Sequence, residues 1–220
     1  MALIDRLLEA TKDIWQAYHE HPFVKGIADG SLDQQKFKHY ILQDYIYLLE
    51  YAKVFGIGMA KAKSVKTMKY FAHYVHLLTD GEMDIHRGYM GKLQVTQQEL
   101  DQVTQALDNL SYTSYMIRVA YEEGEAEILA AILSCAYSYE VIAKKIVQDH
   151  PDALKNNFYS EWIEGYISED YHEANLVLIH TLTELTENYT ESQIQHLIDI
   201  FVACSRYELA FWDLSWEMRH

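Results

Sequence analysis

The segment Glu125-Ala126-Glu127-Ile128-Leu129-Ala130-Ala131-Ile132-Leu133-Ser134-Cys135-Ala136-Tyr137-Ser138-Tyr139-Glu140-Val141-Ile142 decides the fold. It follows a boundary glycine, Gly124, and meets no breaker before Pro151. Ile128, Ile132, Cys135, Tyr139 and Ile142 recur at spacings of three and four, which puts them on one face of a helix predicted over 125–148. A thiol and a phenol one turn apart therefore project together. A lone cysteine in such a stripe ordinarily packs as a small inert residue. A nucleophile facing a tyrosine-lined pocket is the alternative, and the segment alone leaves both open.

The rest of the chain carries the same helical signature. Only 2 prolines and 9 glycines occur in 220 residues, and abundant Ala, Leu, Glu, Lys and Gln favour helix. Leu3, Leu7, Leu8, Trp15 and Tyr18 outline a first helix that Pro22 breaks, followed by a short one over 23–28. Ser31 and Gln34 have the spacing of a capping box and predict a long helix over 32–59 carrying Tyr40, Asp44, Tyr47, Tyr51 and Phe55. Ser64 starts another helix, with Gly81 a candidate interruption. Thr96 with Glu99 is a second capping box. Helices are predicted over 111–123, 158–166 and 169–188, and a last one runs from Thr190 to the C-terminus. No strand-like alternation, linker or repeat is present. The pattern is that of one all-α domain, residues 1–220, built as a bundle of long antiparallel helices.

Charge narrows the function classes. With 33 acidic and 18 basic residues the formal net charge is −15, which opposes binding to nucleic acid or an anionic membrane. The lysines at 61, 63, 66 and 69 read as solvated helix ends. No run approaches the ~20 uncharged apolar residues of a membrane span. The N-terminus lacks a signal-peptide pattern, so Cys135 and Cys204 are expected as thiols in a reducing cytoplasm. The 18 tyrosines supply apolar bodies with hydroxyls that need partners when buried.

Two acids stand in apolar company. Asp44 is flanked by Ile41, Leu42, Tyr45 and Ile46. Glu208 shares a face with Phe211 and Trp212, where desolvation would raise its pKa toward that of a general acid. Their bland readings are pairing with a nearby basic or phenol group and, for Glu208, with Arg206.

Taken together, Asp44-x-x-Tyr47, Tyr112, Cys135-x-x-x-Tyr139, Trp162-Ile163-Glu164-Gly165-Tyr166-Ile167-Ser168 and Glu208-x-x-Phe211-Trp212-Asp213 resemble, in order and separation, the TenA family, also called thiaminase II or aminopyrimidine aminohydrolase. The resemblance spans essentially the whole chain and the branch with a mid-chain cysteine. It implies a haem-oxygenase-like helical fold, a homotetramer, and a hydrolase of thiamin salvage that needs no cofactor. The implied reaction converts 4-amino-5-aminomethyl-2-methylpyrimidine to the hydroxymethylpyrimidine and ammonia, or cleaves thiamin to the same product and its thiazole. Carried over, Cys135 is the nucleophile, Glu208 the proton shuttle, and Asp44 the partner of the ring amine and the thiol. Tyr139 and Tyr166 would bond ring nitrogens, Tyr112 would complete the polar wall, and Tyr47 with Phe211 would stack on the ring faces. No cationic partner for Asp44 is apparent, nor is a subsite for a thiazolium. The rival readings are a non-catalytic pyrimidine-binding or regulatory protein and a metal- or haem-binding bundle. For the latter, Glu169-x-x-His172 and Glu217-x-x-His220 have di-iron spacing, but neither lies mid-helix in an apolar stripe.

Overall fold

The computed structural model describes residues 2–155 and 157–220, with the side chains of residues 81 and 82 left aside. Eleven α-helices are present among them: α1 Leu3–Glu20, α2 Pro22–Asp29, α3 Gln34–Lys61, α4 Val65–His76, α5 Met83–Lys92, α6 Gln97–Gln102, α7 Leu107–Glu122, α8 Glu125–Asp149, α9 Ser160–Ile167, α10 Glu169–Leu185 and α11 Glu191–Glu217. A π-helical segment, Leu77–Glu82, joins α4 to α5. No strand occurs among the described residues, as the all-α reading predicts.

The central helix is α8. It packs on α11, α10, α9 and α7, with further contacts to α1, α2 and α3. By length and composition α8 could cross a membrane, yet 89% of its most apolar window is buried in the fold, which is the signature of a core helix. Buried apolar side chains from Leu7 to Leu214 form one continuous cluster around it.

Local chemistry explains most helix ends. Pro22 occupies the first turn of α2, where its missing N–H costs nothing. Gly30 ends that helix at φ 77°, a left-handed conformation glycine adopts without a Cβ penalty. Ser64 accepts from Thr67 N, and Thr96 and Thr190 form capping boxes with Glu99 and Gln193. Two expectations fail. The N-cap of α3 is Asp33, which accepts from Gln35 N, so the helix starts at Gln34 rather than at the predicted Leu32 behind Ser31; a β-region aspartate next to the helix caps better than a serine two residues earlier. Helix α7 begins at Leu107, ahead of the predicted 111, because Gln43 Oε1 on α3 accepts from Ala106 N at 2.9 Å and satisfies an N-terminal backbone donor that local sequence does not.

Lys61 is not merely solvated. Its ammonium donates to the carbonyls of Ala120, Tyr121 and Glu123, at 2.9, 2.7 and 2.5 Å, and so caps the C-terminus of α7.

The α3–α4 contact is tight at Gly58. A Cβ there would sit 2.5 Å from the ring of Phe71, which is fully buried. Gly58→Ala should therefore destabilise the fold by ~1–3 kcal/mol, the usual overpacking cost, outweighing the ~1 kcal/mol that alanine gains in helix propensity. Denaturant unfolding measures this, and a stabilised variant would show that Phe71 moves aside.

Candidate active site

The site begins where α8 crosses α11. Ser134 Oγ and Ser205 Oγ lie 2.9 Å apart, and both residues are fully buried. Side chains this small let the two helices approach closely. Two residues of α1 secure the crossing: Trp15 Nε1 donates to Ser205 Oγ at 3.1 Å, and Tyr18 Oη donates to the Ser205 carbonyl at 2.5 Å. Cys135 follows Ser134, and Glu208 lies one turn beyond Ser205. The crossing thus delivers a thiol and a carboxyl, 8% and 2% exposed, to the same place in the core.

The third chemical group comes from α3. Asp44 is buried, and its Oδ2 lies 2.6 Å from Nε2 of His86, 1% exposed on α5. A histidine nitrogen can donate to a carboxylate at this distance, so Asp44 has a hydrogen-bond partner in the core that the sequence did not reveal. On the same helix, Tyr51 Oη donates to the Ile132 carbonyl at 3.0 Å and ties α3 to α8. Helix α9 places Tyr166: Trp162 N donates to Tyr89 Oη at 2.9 Å and Trp162 Nε1 to Tyr40 Oη at 3.2 Å. The rings of Tyr166 and Tyr139 then stand 4.8 Å apart.

A cavity of about 360 Å³ opens beside Cys135. Of the eight residues singled out from sequence, Asp44, Tyr47, Cys135, Tyr139 and Tyr166 line it. Glu208, Tyr112 and Phe211 lie behind that wall. The ring slot expected between Tyr47 and Phe211 is closed: the centroids are 5.8 Å apart and the planes tilted by 55°. A flat ring sandwiched between two others needs ~7 Å, twice a carbon contact distance. Tyr47 instead packs on Tyr112, at 5.2 Å between centroids, and points its hydroxyl at Met116 Sδ. Behind it, Tyr112 Oη and Glu208 Oε2 are buried without a hydrogen-bond partner among the described residues. Each such atom costs ~1–3 kcal/mol, and a polar ligand group or water reaching them would recover that.

Electrostatics sort the groups. Burial pushes Glu208 up to about 8, and the neighbouring charge of Asp44 adds to the rise. Tyr139, Tyr112 and the Cys135 thiol stand close enough to hold part of that shift back, although Oε2 meets no donor at hydrogen-bonding geometry. Burial likewise holds the phenols of Tyr47, Tyr112 and Tyr139 protonated far above neutrality. Cys204, one turn from Glu208, is raised by burial and by that carboxyl, which makes it an inert thiol. The site therefore holds one protonated acid, one aspartate–histidine pair, a thiol and a wall of neutral phenols.

The residues 8–218 match the model of the TENA/THI-4/PQQC family. The chain belongs to that family. It is 40% identical over 217 residues to an aminopyrimidine aminohydrolase of Helicobacter pylori, covering 99% of this chain and 100% of that one. It is 37% identical to an aminopyrimidine aminohydrolase of Halalkalibacterium halodurans over 100% of this chain and 97% of the relative. Among solved structures, a TenA homologue from P. horikoshii OT3 superposes with a TM-score of 0.85 at 29% identity, covering 99% of each chain.

The residue that sequence reasoning missed is His86. His86 lies in Met83-Asp84-Ile85-His86-Arg87, where charged neighbours mask its burial. The available signal was an acid in apolar company on α3 that needed a partner. Of the metal candidates, His172 Nδ1 lies 2.6 Å from buried Glu140, to which Asn175 Nδ2 and Lys144 Nζ also donate, so His172 serves a packing network between α8 and α10. Among the described residues no three His, Cys, Asp or Glu side chains converge as metal ligands.

The raised Glu208 has a consequence for stability. An unfolded glutamate loses its proton near pH 4.5, the buried one near 8. Between these values the folded chain holds a proton that the unfolded chain has released, so the stabilisation is fully present below pH 4.5 and is lost as pH rises toward 8. The Tm of the wild type should decline across that window more steeply than that of Glu208→Gln. Parallel Tm profiles would show that Glu208 is ordinary.

Proposed function

We propose that this family member is an aminopyrimidine aminohydrolase of thiamin salvage working by cysteine covalent catalysis. The observation that carries this reading is the convergence of Cys135, Asp44 and Glu208, from three helices, on one phenol-walled site. The full-length likeness to relatives named aminopyrimidine aminohydrolase supports it.

Each group has a task. Asp44, held by His86, accepts from the amine of the pyrimidine and takes the proton of the Cys135 thiol as Sγ attacks. Sγ adds to the ring carbon next to the substituted one. Aromaticity is lost, and the ring electrons expel the amine, to which Glu208 gives its proton. The Glu208 carboxylate then removes a proton from water as the oxygen adds to the exocyclic methylene. The C–S bond breaks, the thiol regains its proton and the aromatic hydroxymethyl product forms. Covalent catalysis divides one hard displacement into easier steps. A carboxyl titrating near 8 is protonated at neutrality yet able to release that proton, as the shuttle requires. Binding would bring the substrate ring between Tyr47 and Phe211 by prising those rings apart.

The same reading includes a homotetramer in the cytoplasm. Exposed apolar side chains such as Val65 and Met68 on α4 and Leu176 and Val177 on α10 suit burial between subunits. The two buried thiols suit a reducing compartment.

Cys135→Ser should abolish release of ammonia from the aminomethylpyrimidine while leaving the circular dichroism of the fold intact. Near-wild-type turnover would remove covalent catalysis from the reading. Glu208→Gln should slow turnover by ~10²–10⁴, the range for losing a general acid–base group, with a smaller change in affinity for the product pyrimidine. Light scattering at micromolar protein should give four times the chain mass, and a monomer would refute the assembly.

A further inference from the structure

Three polar ties close a triangle between α3, α5 and α9 behind the site. Trp162 of α9 makes two of them: its backbone N–H donates to Tyr89 Oη of α5 at 2.9 Å, and its Nε1 donates to Tyr40 Oη of α3 at 3.2 Å. The third joins α5 to α3 and engages a carboxylate of the site: His86 Nε2 lies 2.6 Å from Asp44 Oδ2. Helix α5 reaches both neighbours because its side chains divide. Ile85, Tyr89 and Lys92 meet α9, where Ile85 Cδ1 sits 3.0 Å from the point a Cβ on Gly165 would occupy and Lys92 pairs with Glu161 at 2.7 Å. His86 meets α3. Gly165 precedes Tyr166, so α5 is seated against the turn that carries one phenol of the site and holds the carboxylate of another element.

His86 stands behind Asp44, outside the cavity wall. Asp44 lines the cavity and makes no other hydrogen bond among the described residues. Its two oxygens are thus unequal: Oδ2 is engaged from behind, and Oδ1 remains for a group in the cavity. An ionised carboxylate accepts hydrogen bonds and donates none, so an imidazole N–H on Oδ2 suits a carboxylate that presents lone pairs alone. The other acid of the site has no such donor, since Glu208 Oε2 is buried without a hydrogen-bond partner among the described residues.

We propose that His86 is a positioning and specificity-determining residue: donating through Nε2, it holds Asp44 with Oδ1 toward the cavity as an acceptor, and so selects a pyrimidine bearing an exocyclic amine against its oxo analogue. This rests on the aminopyrimidine chemistry proposed above. An amine beside Oδ1 gives the carboxylate a hydrogen. An oxo oxygen in the same place sets two acceptors face to face and leaves both unpaired in a buried site, which costs more than the bond contributes. His86 touches neither the ring nor the thiol and acts through Asp44. Without its N–H, Oδ2 can itself carry a proton, and a carboxyl that turns that proton toward the cavity meets an oxo group as a donor. The discrimination is thus set by a helix that supplies no catalytic group, and it works by excluding a second hydrogen-bonding state of the acid as well as by favouring the first.

The test is binding, with turnover beside it. Calorimetry gives Kd for the hydroxymethylpyrimidine and for its 4-oxo analogue in the wild type, His86→Gln and His86→Leu. The wild type should prefer the amine by ~10² or more, as sites built to hydrogen-bond one partner do. Glutamine carries an N–H near the place of Nε2 and should keep most of that preference. Leucine carries none, and the preference should fall about tenfold or more, the value of one hydrogen bond to a charged group. A histidine that serves the fold alone would move Tm and leave the ratio of the two constants unchanged. Where leucine prevents folding, His86→Asn takes its place, polar but too short to reach Oδ2, and should lose the preference as leucine does. An unchanged preference in folded His86→Leu or His86→Asn overturns the proposal, as does a glutamine variant that loses it completely. A wild type that releases ammonia from the aminomethylpyrimidine yet binds both compounds alike also overturns it and leaves the assigned reaction standing. A wild type that neither binds the pyrimidine nor turns it over overturns the reaction and the role of His86 with it.

Discussion

The close crossing of α8 over α11 at Ser134 and Ser205 is the constraint on which the site depends. Two hydroxyls 2.9 Å apart, fully buried, require helices nearer than leucine or phenylalanine would allow. The hydroxyls then satisfy each other and Trp15, so the approach leaves no orphaned polar atom at that point. Everything chemical is counted from this crossing: one residue along α8 to Cys135, one turn along α11 to Glu208, one further turn along α8 to Tyr139. A bulkier residue at either serine would push the thiol and the carboxyl apart before it disturbed any helix.

The other elements adjust what the crossing supplies. Helix α3 lies across it, held by Tyr51 on Ile132 and by Gln43 on the start of α7, and brings Asp44. Helix α5 contributes His86, without which Asp44 would be a buried charge lacking its short bond, a loss that typically costs ~3–5 kcal/mol. Helix α10 is bound to α8 through the buried carboxylate of Glu140, whose two partners on α10, His172 and Asn175, make it a fastening between helices. The cavity is therefore bounded by polar ties between helices, with apolar side chains filling the space between them.

Much of this was legible in the sequence, for identifiable reasons. Helix type followed from spacing and the scarcity of breakers, and most caps followed from Ser, Thr and Gly at the ends. The start of α3 was misread because Ser31 imitates a capping box that Asp33 supersedes. The start of α7 was misread because its cap is a glutamine 63 residues away on another helix. Cys135, Asp44 and Glu208 stood out because polar atoms in apolar stripes are costly and so carry information. His86 did not, since its neighbours Asp84 and Arg87 gave it the look of a surface residue. The closed contact between Tyr47 and Phe211 depends on how separate helices meet, which no single stretch of sequence encodes.

The division of labour between the two carboxyls follows from their surroundings. Both are buried in one site, so ionising both would place like charges together where water cannot screen them. Asp44 has a histidine 2.6 Å away, within hydrogen-bonding distance of its carboxylate. Burial raises Glu208, the charge of Asp44 raises it further, and the nearby phenols and thiol hold back only part of the rise. Glu208, titrating near 8, therefore keeps its proton at neutrality. That leaves an acceptor on the side of the thiol and a donor on the side of the departing group, before any substrate is bound. Two acids in surroundings this different can supply acid and base chemistry at one pH. Here the difference in surroundings comes from one histidine of α5 beside the first acid and from the depth at which the α8–α11 crossing buries the second.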